Sequence, residues 1–214
     1  MPSQDHDHDL EQWEALARKG DRAAMASLYN EHRERLKRWV EMRLDPRMWG
    51  RLSPSDVVQE TYLAADQRLD HFREMPDMSF SVWVRLIAGQ RLIDAHRKHI
   101  GAEARDAGRE VSLDKAGPST SSANLATFIA GNLTSPSRAA VRHEAHNLLV
   151  HAIESMPELD REILSLRHFD ELSNDEVAQL LGIPKSTASK RYVRALGRLR
   201  SILEQVPGML EDYT

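Results

Sequence analysis

Helical periodicity runs through nearly the whole chain and is interrupted once, between residues 101 and 136, where Ala, Gly, Ser, Thr and Asn dominate. Gly117-Pro118-Ser119-Thr120-Ser121-Ser122 lies at the centre of that stretch and Ser135-Pro136-Ser137 at its end. No strand-like alternation of useful length and no internal repeat competes with the helical pattern. The expected fold class is therefore all-α, two small helical domains on a flexible linker. The 214 residues allow one domain or two small ones at about 100–200 residues each. The expected boundaries are a disordered acidic tail over 1–9, a first domain over 10–100, a linker over 101–137 with weak order around Leu125–Ile129, a second domain over 138–206, and a tail over 207–214.

Charge is distributed unevenly over these blocks. The chain carries 29 Lys+Arg against 33 Asp+Glu, a formal net charge of -4. That average hides a reversal of sign. Residues 154–176 hold eight acids and two bases, whereas Ile183 to Leu203 hold six bases, Lys185, Lys190, Arg191, Arg194, Arg198 and Arg200, and no acid. A local basic stripe is the electrostatic footprint of a nucleic-acid partner. With no cysteine there is no disulfide framework, thiolate metal site or cysteine nucleophile. No stretch reaches the roughly 18 apolar residues that a membrane span needs. The N-terminus is acidic where a signal peptide is basic and then apolar. The expected location is cytoplasmic, without membrane insertion.

Local signals place the helices of the first block. Residues 9–19 form a short helix ending at Gly20, and Asp21 caps the next, about 22–44, with Met25, Leu28, Tyr29, Leu36, Trp39 and Val40 on one face. Ser53-Pro54-Ser55-Asp56 opens a third helix: a Ser cap, a Pro in the first turn and an acid at the third helical position. Val57, Val58, Thr61, Tyr62, Ala65, Leu69 and Phe72 line its apolar side. Opposite them Asp56, Gln59, Glu60 and Leu63 recur at i, i+3, i+4 and i+7 as one solvent-facing stripe. After a break at residues 73–79 a fourth helix runs from about Phe80 to His99. It buries Trp83, Val84, Ile87 and Ala88 and carries Gly89 in its middle, at about 1 kcal/mol relative to Ala.

In the second block, Ser173-Asn174-Asp175-Glu176 is a capping box. Val177, Ala178, Leu180 and Leu181 follow as the buried side of a short helix, and Gly182 supplies a left-handed turn. Ile183 plugs the angle and Pro184 starts the second helix, about Lys185–Leu203. Ser186, Thr187 and Ser189 near its start, with Lys190, Arg191 and Arg194, suit a recognition helix: short side chains for base edges and cations for phosphate. Val193, Leu196, Leu199 and Leu203 are expected to hold its other side in the core.

Two groups of these residues resemble bacterial sigma factors of the sigma-70 family, in the small extracytoplasmic-function type that retains two of the family's domains. The first group is Ser55-Asp56-Val57-Val58-Gln59-Glu60-Thr61-Tyr62-Leu63, with Arg68-Leu69-Asp70-His71-Phe72 and Phe80-Ser81-Val82-Trp83-Val84-Arg85-Leu86-Ile87-Ala88. The second runs from Met156-Pro157-Glu158-Leu159-Asp160-Arg161-Glu162-Ile163-Leu164 through the helix-turn-helix to Arg200. The resemblance implies that the first domain is sigma region 2 and the second sigma region 4.

It further implies that Asp56, Gln59, Glu60 and Leu63 dock on the β′ clamp helices of RNA polymerase core. A second contact with core is expected at the β flap. Phe72, Met75, Asp77, Ser79, Gln90, Arg91, Asp94, Arg97 and Lys98 are the implied candidates for reading and melting the minus-10 element. Ser186, Thr187, Ser189, Lys190, Arg191 and Arg194 are those for the minus-35 element. Trp83 fits a core position better. The linker would thread near the polymerase active-site cleft, and an anti-sigma factor or another signalling regulator is a candidate partner. Gly89-Gln90, Ala188-Ser189 and the long loop Glu74–Met78 depart from the family pattern, so promoter preference does not transfer by analogy.

The rival reading is a free-standing helix-turn-helix regulator, which leaves the Asp56–Leu63 stripe without a task. A metal-dependent hydrolase fares worse. His6-Asp7-His8-Asp9 sits in the acidic tail, and His96 and His99 have no carboxylate pair beside them. No catalytic residue, metal or cofactor is expected, and the polymerase performs the chemistry.

Overall fold

The computed structural model describes residues 4–106, 122–133 and 139–205, apart from 46, 47 and 49. Every regular element among the described residues is helical. The chain divides into two compact units, Met1–Pro118 and Ser119–Thr214.

In the first unit, α1 spans Gln4–Ala17, α2 Arg22–Arg43, α3 Pro54–Gln67, α4 Leu69–Arg73 and α5 Phe80–Asp106. Helix α1 begins five residues before the expected start and takes in most of the expected tail. The capping signals take the expected form. Asp21 accepts from the amides of Ala23 and Ala24 at 2.9 and 3.0 Å, and Ser53 with Asp56 closes a reciprocal box at the start of α3. The apolar faces meet in one core: Met25, Leu28, Leu36 and Val40 from α2, Val57, Val58 and Ala65 from α3, and Val84, Ile87 and Ala88 from α5. Helix α5 passes through Gly89 without a break. The buried Tyr29 hydroxyl donates to the Val58 carbonyl at 2.5 Å, tying α2 to α3. Burial raises the phenol pKa well above its ordinary value, so this donor keeps its proton.

The second unit contains α6 (Ser122–Leu133), α7 (Ala139–Glu154), α8 (Glu158–Leu164), α9 (Asn174–Leu181) and α10 (Lys185–Gln205). A π-turn at Ser165–Phe169 extends α8. Helix α6 packs on α7, so the part of the 101–137 linker expected to have only weak order around Leu125–Ile129 lies in a full helix. Leu125, Ala126 and Ile129 are buried there, and burial at i, i+1 and i+4 overrides the poor helix propensity of the surrounding Ser, Thr, Asn and Gly. Residues 107–121 and 134–137 of the expected linker, and the tail 207–214, lie outside the described residues.

The core face of α10 also differs from the expected one. Ala188, Ala195, Leu199 and Ile202 point inward, while Val193 is 70% exposed and Leu196 is exposed as well. Two alanines with no exposed surface let α10 approach its neighbours closely. That fixes the helix phase and turns Val193, two residues before Ala195, to the opposite side.

Candidate nucleic-acid interface

The stripe on α3 forms as expected but divides into two parts. Gln59 and Glu60 are exposed, and Leu63 is 55% exposed, rare for a leucine on a well-packed helix. Asp56 is exposed too, yet its carboxylate is engaged. Its Oδ2 accepts from the Ser53 amide at 2.9 Å and the Ser53 hydroxyl at 2.7 Å, while its own amide donates to Ser53 Oγ at 3.1 Å. Those hydrogen bonds to the charged form hold the carboxyl below its ordinary pKa. Asp56 therefore starts the helix and also lies at the end of the stripe, leaving Gln59, Glu60 and Leu63 as the part with no structural task.

The loop between α4 and α5 and the outer side of α5 form a second surface. Met75 and Ser79 are half-buried and Asp77 is exposed. The Ser79 hydroxyl lies 3.0 Å from that of Ser81 and accepts from the Val82 amide at 3.4 Å, so it caps the start of α5. On α5, Gln90 Nε2 donates to Asp94 Oδ1 at 2.9 Å, and Arg91 Nη2 lies 3.6 Å from Asp94 Oδ2. These three form one cluster, with the exposed Arg97 and Lys98 beyond it on the same helix. Phe72 is a correction. It is fully buried, packed edge-on against Phe80 at 5.6 Å and tilted against Trp83 at 4.9 Å between centroids. An aromatic ring in that position gives its area to the core and has no face left for a base. Trp83 is buried in the same cluster, as expected.

In the second unit the helix-turn-helix closes as the local signals require. Ser173 and Glu176 form the capping box, and Gly182 sits at φ +62°. The Asn174 side chain donates to the Lys185 carbonyl at 3.0 Å, and Lys185 Nζ pairs with Asp175 at 2.7 Å, fixing the entry of α10. Ser186, Ser189, Lys190 and Arg194 are exposed and Thr187 is half-buried. Among the described residues, Lys190 and Arg194 have no acidic partner.

Arg191 is different. Its Nη1 lies 3.1 Å from Oδ1 of Asp160, a fully buried carboxylate whose other oxygen pairs with Arg198. Arg191 therefore helps neutralise a charge inside the fold, a task that sequence reading did not assign to it. Removing a partner from such a pair leaves an uncompensated buried charge.

Three residues with a part in these surfaces escaped the sequence reading. Asp160 sits in a run of exposed-looking acids, where nothing local marks one of them as buried. Val193 was placed in the core, although its position one residue before Arg194 and three after Lys190 puts it on the basic side of the helix. Arg18 was passed over because, apart from Glu14 one turn back, its partners are backbone carbonyls more than fifty residues away.

Comparison with known proteins follows the same division. Residues 28–100 match the family described as sigma-70 region 2, and residues 146–199 match sigma-70, region 4. The chain is 27% identical over 190 residues to the ECF RNA polymerase sigma factor SigW of Bacillus subtilis (strain 168), covering 88% of this chain and 94% of that protein. It is 29% identical over 144 residues to the ECF RNA polymerase sigma-E factor of Escherichia coli (strain K12), covering 65% of this chain and 68% of the relative. In solved structures, CnrH in complex with the cytosolic domain of CnrY superposes with a TM-score of 0.54 at 21% identity, over 92% of this chain and 97% of that one. That likeness is one of fold.

Proposed function

The chain belongs to the sigma-70 family, in its extracytoplasmic-function type, and we propose how its surfaces share the work of a sigma factor. It binds RNA polymerase core and directs transcription initiation at promoters carrying minus-10 and minus-35 elements. It acts as a non-catalytic initiation factor, and bond formation belongs to the polymerase. No described helix is long and apolar enough to cross a membrane, in keeping with work in the cytoplasm beside the polymerase.

The observation that carries the assignment is the pairing of two unlike surfaces on one chain. A free-standing regulator would account for the basic side of α10 but leave Gln59, Glu60 and Leu63 on α3 idle. In a sigma factor that patch is the docking face for core, and the β′ clamp helices are its counterpart. An exposed leucine between a carboxylate and an amide has the make-up of an interface centre with a polar rim. The loop Met75–Ser79 and the α5 residues Gln90, Arg91, Asp94, Arg97 and Lys98 receive the non-template strand at the minus-10 element. Extruding a base costs a few kcal/mol, which contacts in a prepared pocket must offset. Helix α10 enters the major groove at the minus-35 element with Ser186, Ser189, Lys190 and Arg194 foremost. Val193 lies among them and offers an apolar contact for a thymine methyl. The second unit also meets the β flap. An anti-sigma factor or another signalling protein would silence the chain by covering the α3 patch and α10.

Size-exclusion chromatography of the full chain with bacterial polymerase core, without DNA, tests this reading. The expected result is a stoichiometric complex that an established sigma factor displaces in excess. Elution of the chain alone, together with a shift of duplex DNA by the chain, would replace this reading with that of a free-standing regulator.

A further inference from the structure

Arg18, the residue after α1, reaches across the first unit to the loop that joins α4 to α5. Its Nη1 donates to the Met75 carbonyl at 3.1 Å and lies 3.5 Å from the Phe72 carbonyl. Its Nη2 donates to the Met78 carbonyl at 2.6 Å and to Glu14 Oε1 at 2.8 Å. The guanidinium carbon stands 4.2 Å from the centroid of the buried Phe72 ring. The end of α4 answers in kind, since Arg73 Nε donates to the Arg18 carbonyl at 3.2 Å.

Met75 and Met78 are the two ends of a turn, closed by the Met78 amide on the Met75 carbonyl at 3.2 Å. One planar fork thus grips both ends of a turn whose middle residues, Pro76 and Asp77, are exposed. Pro76 has no amide to contribute to the turn. We propose that Arg18 is a positioning residue for minus-10 recognition: it holds the Met75–Met78 turn in the shape that receives the unstacked strand, without touching DNA itself.

The chemistry favours Arg at this position over any other cation. The Met75 and Met78 carbonyls are met by different nitrogens of one rigid plane, Glu14 shares the second of them, and the same plane lies over Phe72. A lysine ammonium supplies a point charge with neither the fork nor the flat face. A turn fixed before the strand arrives does not spend binding energy on its own ordering.

This inference rests on the assignment of the loop to the minus-10 element, and the experiment keeps the two apart. Full-length native chain, Arg18→Lys, Arg18→Ala and Arg73→Ala are each combined with polymerase core and given a pool of random-sequence duplex DNA. The bound DNA is sequenced, and amide exchange is measured on each holoenzyme. Both Arg18 variants should bind core and enrich the minus-35 motif like the native chain. Their enrichment of the minus-10 motif should fall by about tenfold, within the range that one mismatched base pair commands. Exchange should rise at residues 74–79 and stay unchanged in α3. Arg73→Ala, which leaves the fork in place, should keep the native minus-10 motif. Native minus-10 enrichment by Arg18→Lys would overturn the proposal. So would a joint decline of core binding and both motifs, which marks general damage to the fold. If the native chain itself bound no core or enriched no upstream motif, the sigma-factor assignment would fall instead. The exchange data would still show whether Arg18 holds the turn.

Discussion

The two units place their functional side chains under opposite regimes. In the first, α3 keeps core and interface apart: Val57, Val58 and Ala65 are buried, while Gln59, Glu60 and Leu63 face solvent and hold nothing together. In the second, α10 mixes the two tasks. Arg191 and Arg198 anchor the helix on Asp160, and Arg194, three residues from Arg191, is exposed. Substitutions on α3 can therefore separate binding from folding, whereas a substitution on α10 changes binding alone only where the cation has no partner inside the fold.

The sharpest way to break this contrast is on α3. Glu60→Arg combined with Leu63→Glu should weaken core binding by about a hundredfold or more, as expected for loss of an interface centre. Circular dichroism and the unfolding transition should stay at the native values. Loss of helical signal in this variant would mean that α3 is not divided as described.

Next in size is Asp160→Ala, which removes the buried carboxylate that holds α10 to α8 and leaves the part-exposed Arg191 and Arg198 to water. Two charge-assisted hydrogen bonds at about 1.5 kcal/mol or more each are lost, so amide exchange in α8 and α10 should accelerate by about a hundredfold, while exchange in α2 and α3 stays unchanged.

A finer test compares two arginines three residues apart. Arg194→Ala should weaken minus-35 duplex binding by the holoenzyme by about tenfold and lower the salt dependence by about one counterion, with native exchange in α8. Arg191→Ala should lose binding and also loosen α8, because it leaves Asp160 with one partner. Equal behaviour of the two variants would remove the distinction between them.

The smallest effect belongs to Asp56. Its carboxyl is held below the ordinary value by the Ser53 hydroxyl and amide. A lowered folded pKa contributes stability that is present above the unfolded value of about 4 and is lost as pH falls through the folded one. Asp56→Asn should therefore lower the melting temperature slightly at pH 7, and the difference should vanish in acid below that range. A constant difference across pH would show that the loss is one of packing.

Much of this was legible from the chain itself. Asp21, Ser53 with Asp56, and Ser173 with Glu176 were readable as caps, because a cap and its amides lie within three residues of each other. Gly182 was readable as a left-handed turn, and it sits at φ +62°. The α3 stripe was readable because helical spacing alone puts Gln59, Glu60 and Leu63 together. The reading failed where a residue's role depends on something distant. Phe72 looked available to a base until Phe80 and Trp83 closed over it. Helix α6 was read as no more than weak order inside a linker because Gly, Pro, Ser and Thr surround it, and its apolar Leu125, Ala126 and Ile129 count only once α7 covers them.

The sequence by itself determined most of the helices, their caps, the order of two unlike blocks and the basic stripe that ends the second. All of these follow from interactions over a few residues, where the helix repeat sets the geometry. The tertiary structure decided what each cation is for. Arg18 meets Met78 across 60 residues and Arg198 meets Asp160 across 38. An arginine's charge is the same in every position, and only the neighbours that folding brings to it settle whether it binds the protein's own carbonyls and carboxylates or stays exposed for phosphate.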